Sequence, residues 1–164
     1  SAPLEIERFP PHPGIGREVG RRAITLVRGV PHADPVASIA LSFGGGDRLL
    51  AHEAPALEDI SASIDPDRQE VDAIFATLRQ SERRPILLTR RAHLHPAQAG
   101  AIDEIVDRYP DALVVSLLEP FDLPLFARAR HVLASYGDDL ASIGGLADVL
   151  FGGSMPEGRL PVHA

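Results

Sequence analysis

Glu119 and Asp122 stand three residues apart, just beyond the apolar run Leu113–Leu118. Carboxylates past the end of a buried strand lie where open α/β folds bind their ligands. Such a pair can divide acid and base roles; it can equally cap the following turn or face a partner domain. His93 and His95 form an H-x-H pair after the run Pro85–Thr89. Two imidazoles at this spacing suit zinc only if one or two further ligands join them. His95 also directly precedes Pro96, where a polar residue can cap a helix, so no metal is expected. Asp138 follows the run His131–Tyr136 in the same way. Ser42–Asp47, "SFGGGD", leaves another apolar run through three glycines, the kind of exit that can hold phosphate. It lacks the G-x-G-x-x-G pattern, and the chain has no lysine for a P-loop. A flexible turn is therefore expected there, and no cofactor. No G-x-S-x-G nucleophile elbow is present either.

Composition narrows the field further. A chain of 164 residues with 45% hydrophobic residues suits one domain with a sizeable core. All sixteen basic residues are arginine, and the net charge of -7 argues against a nucleic-acid or anionic-membrane binder. The Arg17, Arg21, Arg22 cluster then reads as a solvated or interdomain face. There is no cysteine, so no disulfide framework or thiolate site. No apolar run approaches the roughly 20 residues needed to span a bilayer. With no tryptophan and few aromatics, an aromatic sugar-binding platform is not expected.

The elements that must position these groups follow from periodicity. Residues 1–16 carry prolines 3, 10, 11 and 13 and read as a linker or arm, leaving 17–164 as one domain. A short charged helix, Arg17–Arg22, leads into the β-branched run Ala23–Gly29. Val36–Phe43, Pro85–Thr89, Asp111–Leu118 and His131–Tyr136 read as buried strands. Between them Val71, Ile74, Phe75 and Leu78 fall on one helical face, as do Ile102, Ile105, Val106 and Tyr109. Asp65 and Pro66 are the expected cap and first residue of the former helix; Pro96 opens the latter. Ile143, Leu146, Ala147 and Leu150 mark a last helix, with Gly152 its expected left-handed terminator. Met155–Gly158 fits a type I turn, and Leu160–Val162 an extended edge piece. Alternating strands and helices predict a three-layer α/β sandwich with a mainly parallel sheet.

The ending "LADVLFGGSMPEGRLPV" (Leu146–Val162) resembles the closing motif of the C-terminal domain of glycoside hydrolase family 3. "REVGRRAITLVRG", "LTRRAHLHPAQ", "VVSLLEPFDL" and "LASYGDDLASIGGLADVLFG" resemble further stretches of that domain, in order, over nearly all of Arg17–Val162. "EPFDL" and "ASYGDD" look most like the β-N-acetylhexosaminidase branch. The resemblance implies an N-terminal TIM barrel as partner in the same polypeptide. That barrel would carry the nucleophilic aspartate and a histidine motif resembling "KHFPGHG", which this chain lacks. Some three-domain members take an acid/base glutamate from the second domain, but neither Glu119 nor Asp122 aligns with it. No catalytic residue is therefore assigned to this chain. His93, Glu119, Asp122 and Asp138 are expected to be barrel-facing or substrate-proximal, with carbohydrate bound only by the intact enzyme. A free-standing ligand-binding module and a purely structural or dimerisation domain are the rival readings.

Overall fold

The computed structural model describes residues 13–45 and 48–160. Six strands form one sheet in the order β1-β6-β5-β4-β2-β3: Thr25–Arg28, Ser38–Phe43, Glu58–Ala62, Arg84–Thr89, Leu113–Ser116 and His131–Ala134, numbered along the chain. All neighbours run parallel except β1 against β6. The helices are α1 (Pro13–Ala23), α2 (Leu49–Glu53), α3 (Arg68–Ser81), α4 (Pro96–Arg108) and α5 (Leu140–Leu150). Two 3-10 segments, Ala92–Leu94 and Pro120–Phe126, follow β4 and β5.

Alternation along the strands sorts the core into two halves. Ile39, Leu41, Phe43, Leu87 and Val114 meet Ile74, Phe75 and Leu78 of α3 and Ile102 and Ile105 of α4. On the other face Ala40, Ile86, Leu88, Leu113, Val115 and Leu133 meet Leu50 of α2 and Ile143, Leu146 and Leu150 of α5. Both faces are covered, as the uninterrupted apolar strands require. The three-layer α/β sandwich with a mainly parallel sheet is the observed fold.

Several local expectations are corrected. The helix after residue 65 is capped by Asp67, whose side chain accepts from Glu70 N, not by Asp65. Asp65 instead meets the ring of His95. The short edge strand β3 and the five-residue helix α2 carry too little apolar periodicity to be read from sequence. Residues 13–16 belong to α1; Pro13 fits its first turn, where no N–H is needed. Of the arm expected over residues 1–16, residues 1–12 lie outside the described residues, as do Pro161 and Val162. After α5 the left-handed residue is Gly153 (φ 75°), not Gly152. The helix frays one residue further, with Gly152 and Ser154 both donating to the Asp148 carbonyl. No turn forms over 155–158. This segment runs back beside β1, where Gly158 N donates to Ile24 O at 2.8 Å. Its glycine serves close approach: a Cβ there would sit 2.4 Å from Ala23 O.

Helix α1 closes the second face by packing on α5. Arg17 grips both carboxylate oxygens of Asp148 (2.9 and 2.7 Å) and reaches Glu53 of α2 (2.8 Å). That guanidinium holds the Asp148 carboxyl below its usual range. The backbones touch at Gly145, where a Cβ would lie 2.3 Å from Arg21 N. Gly145→Ala is therefore expected to lower stability by about 1–3 kcal/mol through overpacking. Gly100→Ala, in open space on α4, should raise it by about 0.4–1 kcal/mol. Paired melting curves check both signs.

At the amino end of β6, His131 Nδ1 accepts from Val30 N at 3.0 Å. Burial, then Arg84 and Arg130, push the His131 imidazole below its ordinary pKa. The unfolded chain thus takes up the proton first as pH falls. This contribution to stability is complete above about pH 6.5 and is lost below it. Melting midpoints should rise between about pH 5 and pH 7, and His131→Gln should remove that part of the slope.

Candidate functional site

The parallel strands point their carboxyl ends to one edge, so β2, β4, β5 and β6 deliver their exit loops side by side. The connection from β2 leaves through α2 on one face, and that from β4 through α4 on the other. The gap between these two strand ends is thus the topological switch point where such folds open for ligands. Here Arg90, the residue after β4, fills it. Its side chain is only 5% exposed. Nη1 donates to Ser42 Oγ and to Phe43 O, both at 2.8 Å, and Nε donates to Asp138 at 3.1 Å. A Cβ on Gly45 would overlap the guanidinium at 2.1 Å. The described part of the glycine-rich exit therefore cradles an arginine of its own chain; Gly46 and Asp47 lie outside the described residues. Gln98, fully buried, accepts from Arg90 N and donates to Arg90 O, fixing the backbone of the plug.

The second cluster adjoins the first through the 3-10 segments. Asp122 is 1% exposed, yet its carboxylate accepts from Ala92 N (3.0 Å) and His93 N (2.9 Å) and meets His93 Nδ1 at 2.6 Å. Burial of a charge at this depth is tolerable because its oxygens are hydrogen-bonded. Glu119 stays partly exposed, its carboxylate 4.0 Å from His93 Nε2 and 3.8 Å from Arg91 Nε. The Phe121 ring stands edge-on to His93 with centroids 5.8 Å apart.

Of the residues singled out from sequence, His93, Glu119 and Asp122 are brought together, and Asp138 meets Arg90 on the same edge. Glu119 and Asp122 do not act as a matched pair: Asp122 accepts from the amides of the Ala92–Leu94 turn, and Glu119 lies 4.0 Å from the other ring nitrogen of His93. The H-x-H pair splits between two carboxylates, His93 to Asp122 and His95 to Asp65. His95 occupies the cap position of α4 but makes no side-chain cap bond. Among the described residues no cluster of three or more metal-ligating side chains forms. Sequence reading missed Arg90 and Gln98. Gln98 had a signal: it lies four residues before Ile102 and seven before Ile105, on the apolar face of α4, where a polar side chain needs a buried partner.

No family model matches the chain, and no curated protein matches it. Solved structures do. A glycoside hydrolase family 3 β-N-acetylglucosaminidase from Paenibacillus sp. str. FPU-7 overlays with a TM-score of 0.75 at 21% identity, over 88% of this chain and 31% of that one. This chain has the fold of a glycoside hydrolase family 3 domain. A fungal multi-domain β-N-acetylglucosaminidase of the family gives 0.69 at 18% identity, over 90% and 18% of the two chains. A β-glucosidase from Listeria innocua gives 0.65 at 16% identity, over 86% and 25%. The chain thus spans between 18% and 31% of the length of these relatives. Within the family 3 fold described here, Arg90 is the group that closes the switch crevice. Arg90→Ala should cost about 2–4 kcal/mol, from lost bonds to a charged donor and the void left behind. Asp138→Asn, at an exposed carboxylate, should cost less than about 1 kcal/mol. Equal losses in denaturant titrations would mean that the ion pair, rather than the buried plug, is what matters.

Proposed function

We propose that this chain is the C-terminal accessory domain of a family 3 glycosidase that releases terminal N-acetylhexosamine residues. The domain begins with α1 at Pro13, and an N-terminal barrel of the same polypeptide supplies the nucleophile and holds the sugar. The observation that carries this reading is the overlay of 88% of the chain on under a third of a β-N-acetylglucosaminidase. The hexosaminidase branch is proposed on the sequence likeness of "EPFDL" and "ASYGDD"; two of the overlaid enzymes are β-N-acetylglucosaminidases. The Arg90 plug weighs against a free-standing module that takes a small ligand at the switch point. The edge carrying His93, Glu119, Asp122 and Asp138 is the side proposed to face the barrel. Its two 3-10 segments also carry the exposed apolar side chains Leu94, Phe121 and Leu125.

Retaining glycoside hydrolysis ordinarily needs two carboxyl groups about 5–5.5 Å apart across the scissile bond. Among the described residues Glu119 and Asp122 do not make such a pair, since Asp122 is buried and hydrogen-bonded to its own chain. The isolated chain should therefore show no turnover of a chromogenic β-N-acetylglucosaminide above buffer, even at high protein concentration. Hydrolysis that survives repurification and disappears in Glu119→Gln would make the chain an enzyme in its own right and overturn the accessory role.

A further inference from the structure

The opposite edge of the sheet, where the parallel strands begin, holds a polar cluster of its own. Arg84 opens β4 there, and its side chain is partly buried. Nε donates to Asp111 O at 2.6 Å, and Nη1 donates to His32 O at 3.0 Å. Both partners are uncharged carbonyls. A guanidinium carries five N–H donors, so three, including both on Nη2, make no bond to the described residues. Arg17, Arg21 and Arg68 lie against carboxylates that raise their pKa. Burial lowers that of Arg84, and Asp111 offsets only part of the effect. The fold has thus drawn a cation partly out of water and oriented it with neutral oxygens, without giving it a counter-ion among the described residues.

His131 supplies a further donor at the same place. Its Nδ1 accepts from Val30 N at 3.0 Å, so that nitrogen carries no proton. The proton of the neutral ring is then on Nε2. Burial, with Arg84 and Arg130 near, favours that neutral form. Nε2–H has no partner among the described residues. Arg84, His131, Val30 and Asp111 line one open cavity of about 290 Å³. That is just under the roughly 300 Å³ at which pockets for drug-sized ligands begin, so the occupant is small. The charges narrow it further. Arg84 brings one positive charge and His131 an uncharged donor, while the Asp111 carboxylate acts on both against an anion. A monoanion matches that balance; a phosphate, with a charge of about −1.5 to −2 at pH 7, does not. The guanidinium fork suits a planar carboxylate, and exposed Val30 offers an apolar wall for a short tail.

We propose that Arg84 and His131 form a binding site for a small aliphatic monocarboxylate, which takes the unspent N–H groups of Arg84 and the Nε2–H of His131. The site lies at the other end of the strands from His93, Glu119 and Asp138, so it stays open when those groups face a barrel. It stands apart from the glycosidase reading.

The test is NMR on this chain with nitrogen-15 histidine at pH 7, titrated with sodium propionate at constant ionic strength. The His131 signals are assigned by their loss in His131→Gln. They should show the Nε2–H tautomer and shift saturably with propionate in the millimolar range. Sodium phosphate and sodium chloride, run the same way, should give weaker or unsaturable shifts. Arg84→Gln should weaken propionate binding at least about tenfold, the loss of a charged donor. Asp111→Asn should tighten it about two- to fivefold, because a like charge leaves a solvent-facing site. If Arg84→Gln does not fold, Asp111→Asn still decides, since the Asp111 carboxylate bonds to no described residue. An Nδ1–H tautomer, no saturable shift with propionate, equal shifts with chloride, tighter binding of phosphate, or an Asp111→Asn variant that binds no better would each overturn the proposal. The hydrolysis assay on the chromogenic glycoside is unaffected by any of these results, so the two readings fail separately.

Discussion

Burial of both faces of a parallel sheet is the constraint from which the other features follow. Strands β2, β4 and β5 have almost no exposed side chain, so each must be screened by helices above and below. Parallel neighbours then need crossover connections, and those crossovers are the helices that do the screening. The same geometry sends every parallel strand's polar exit to one edge. A concentration of hydrogen-bonding groups at that edge is a by-product of the core before it is anything functional.

What the chain does with that edge is electrostatic. Two charges are taken out of water there, the Arg90 guanidinium and the Asp122 carboxylate, and each is satisfied within a few residues in space. Arg90 is answered mainly by neutral oxygens of β2, with Asp138 at the rim. Asp122 is answered by two backbone amides and an imidazole. Unsatisfied, either would cost several kcal/mol. Satisfied, they set the shape of the edge: one closes the crevice between β2 and β4, and the other locks the 3-10 segments that display His93, Glu119 and Phe121.

The second face is assembled differently, by close approach of backbones. Helix α1 lies against α5 because glycines at positions 20 and 145 remove the side chains that would separate them. Arg17 then spans α1, α5 and α2 through two carboxylates. The segment after α5 returns along β1, with Gly158 against Ala23 and Thr25. The stretch around Gly158 is thereby stitched to the start of the sheet, and the segment that looked like a turn is a packing strip.

Apolar periodicity was enough to reveal the central strands, the faces of α3, α4 and α5, and hence the sandwich, because burial imposes its period directly on residue type. It also placed His93, Glu119 and Asp138 at strand exits, since an exit is visible as the point where an apolar run stops. Short marginal elements such as α2 and β3 were illegible: few of their residues are buried, so little periodicity is written into them. Caps and terminators shifted by one or two residues, from Asp65 to Asp67 and from Gly152 to Gly153, because nearby residues of the same type compete and only the packed helix length selects between them. Tertiary structure alone decided that Asp122 belongs to His93 and not to Glu119, and that His95 turns away to Asp65. It alone decided that an arginine occupies the crevice a ligand would use. Those outcomes depend on which side chains meet across residues 29, 30 and 48 positions apart in sequence, a distance over which local spacing carries no information.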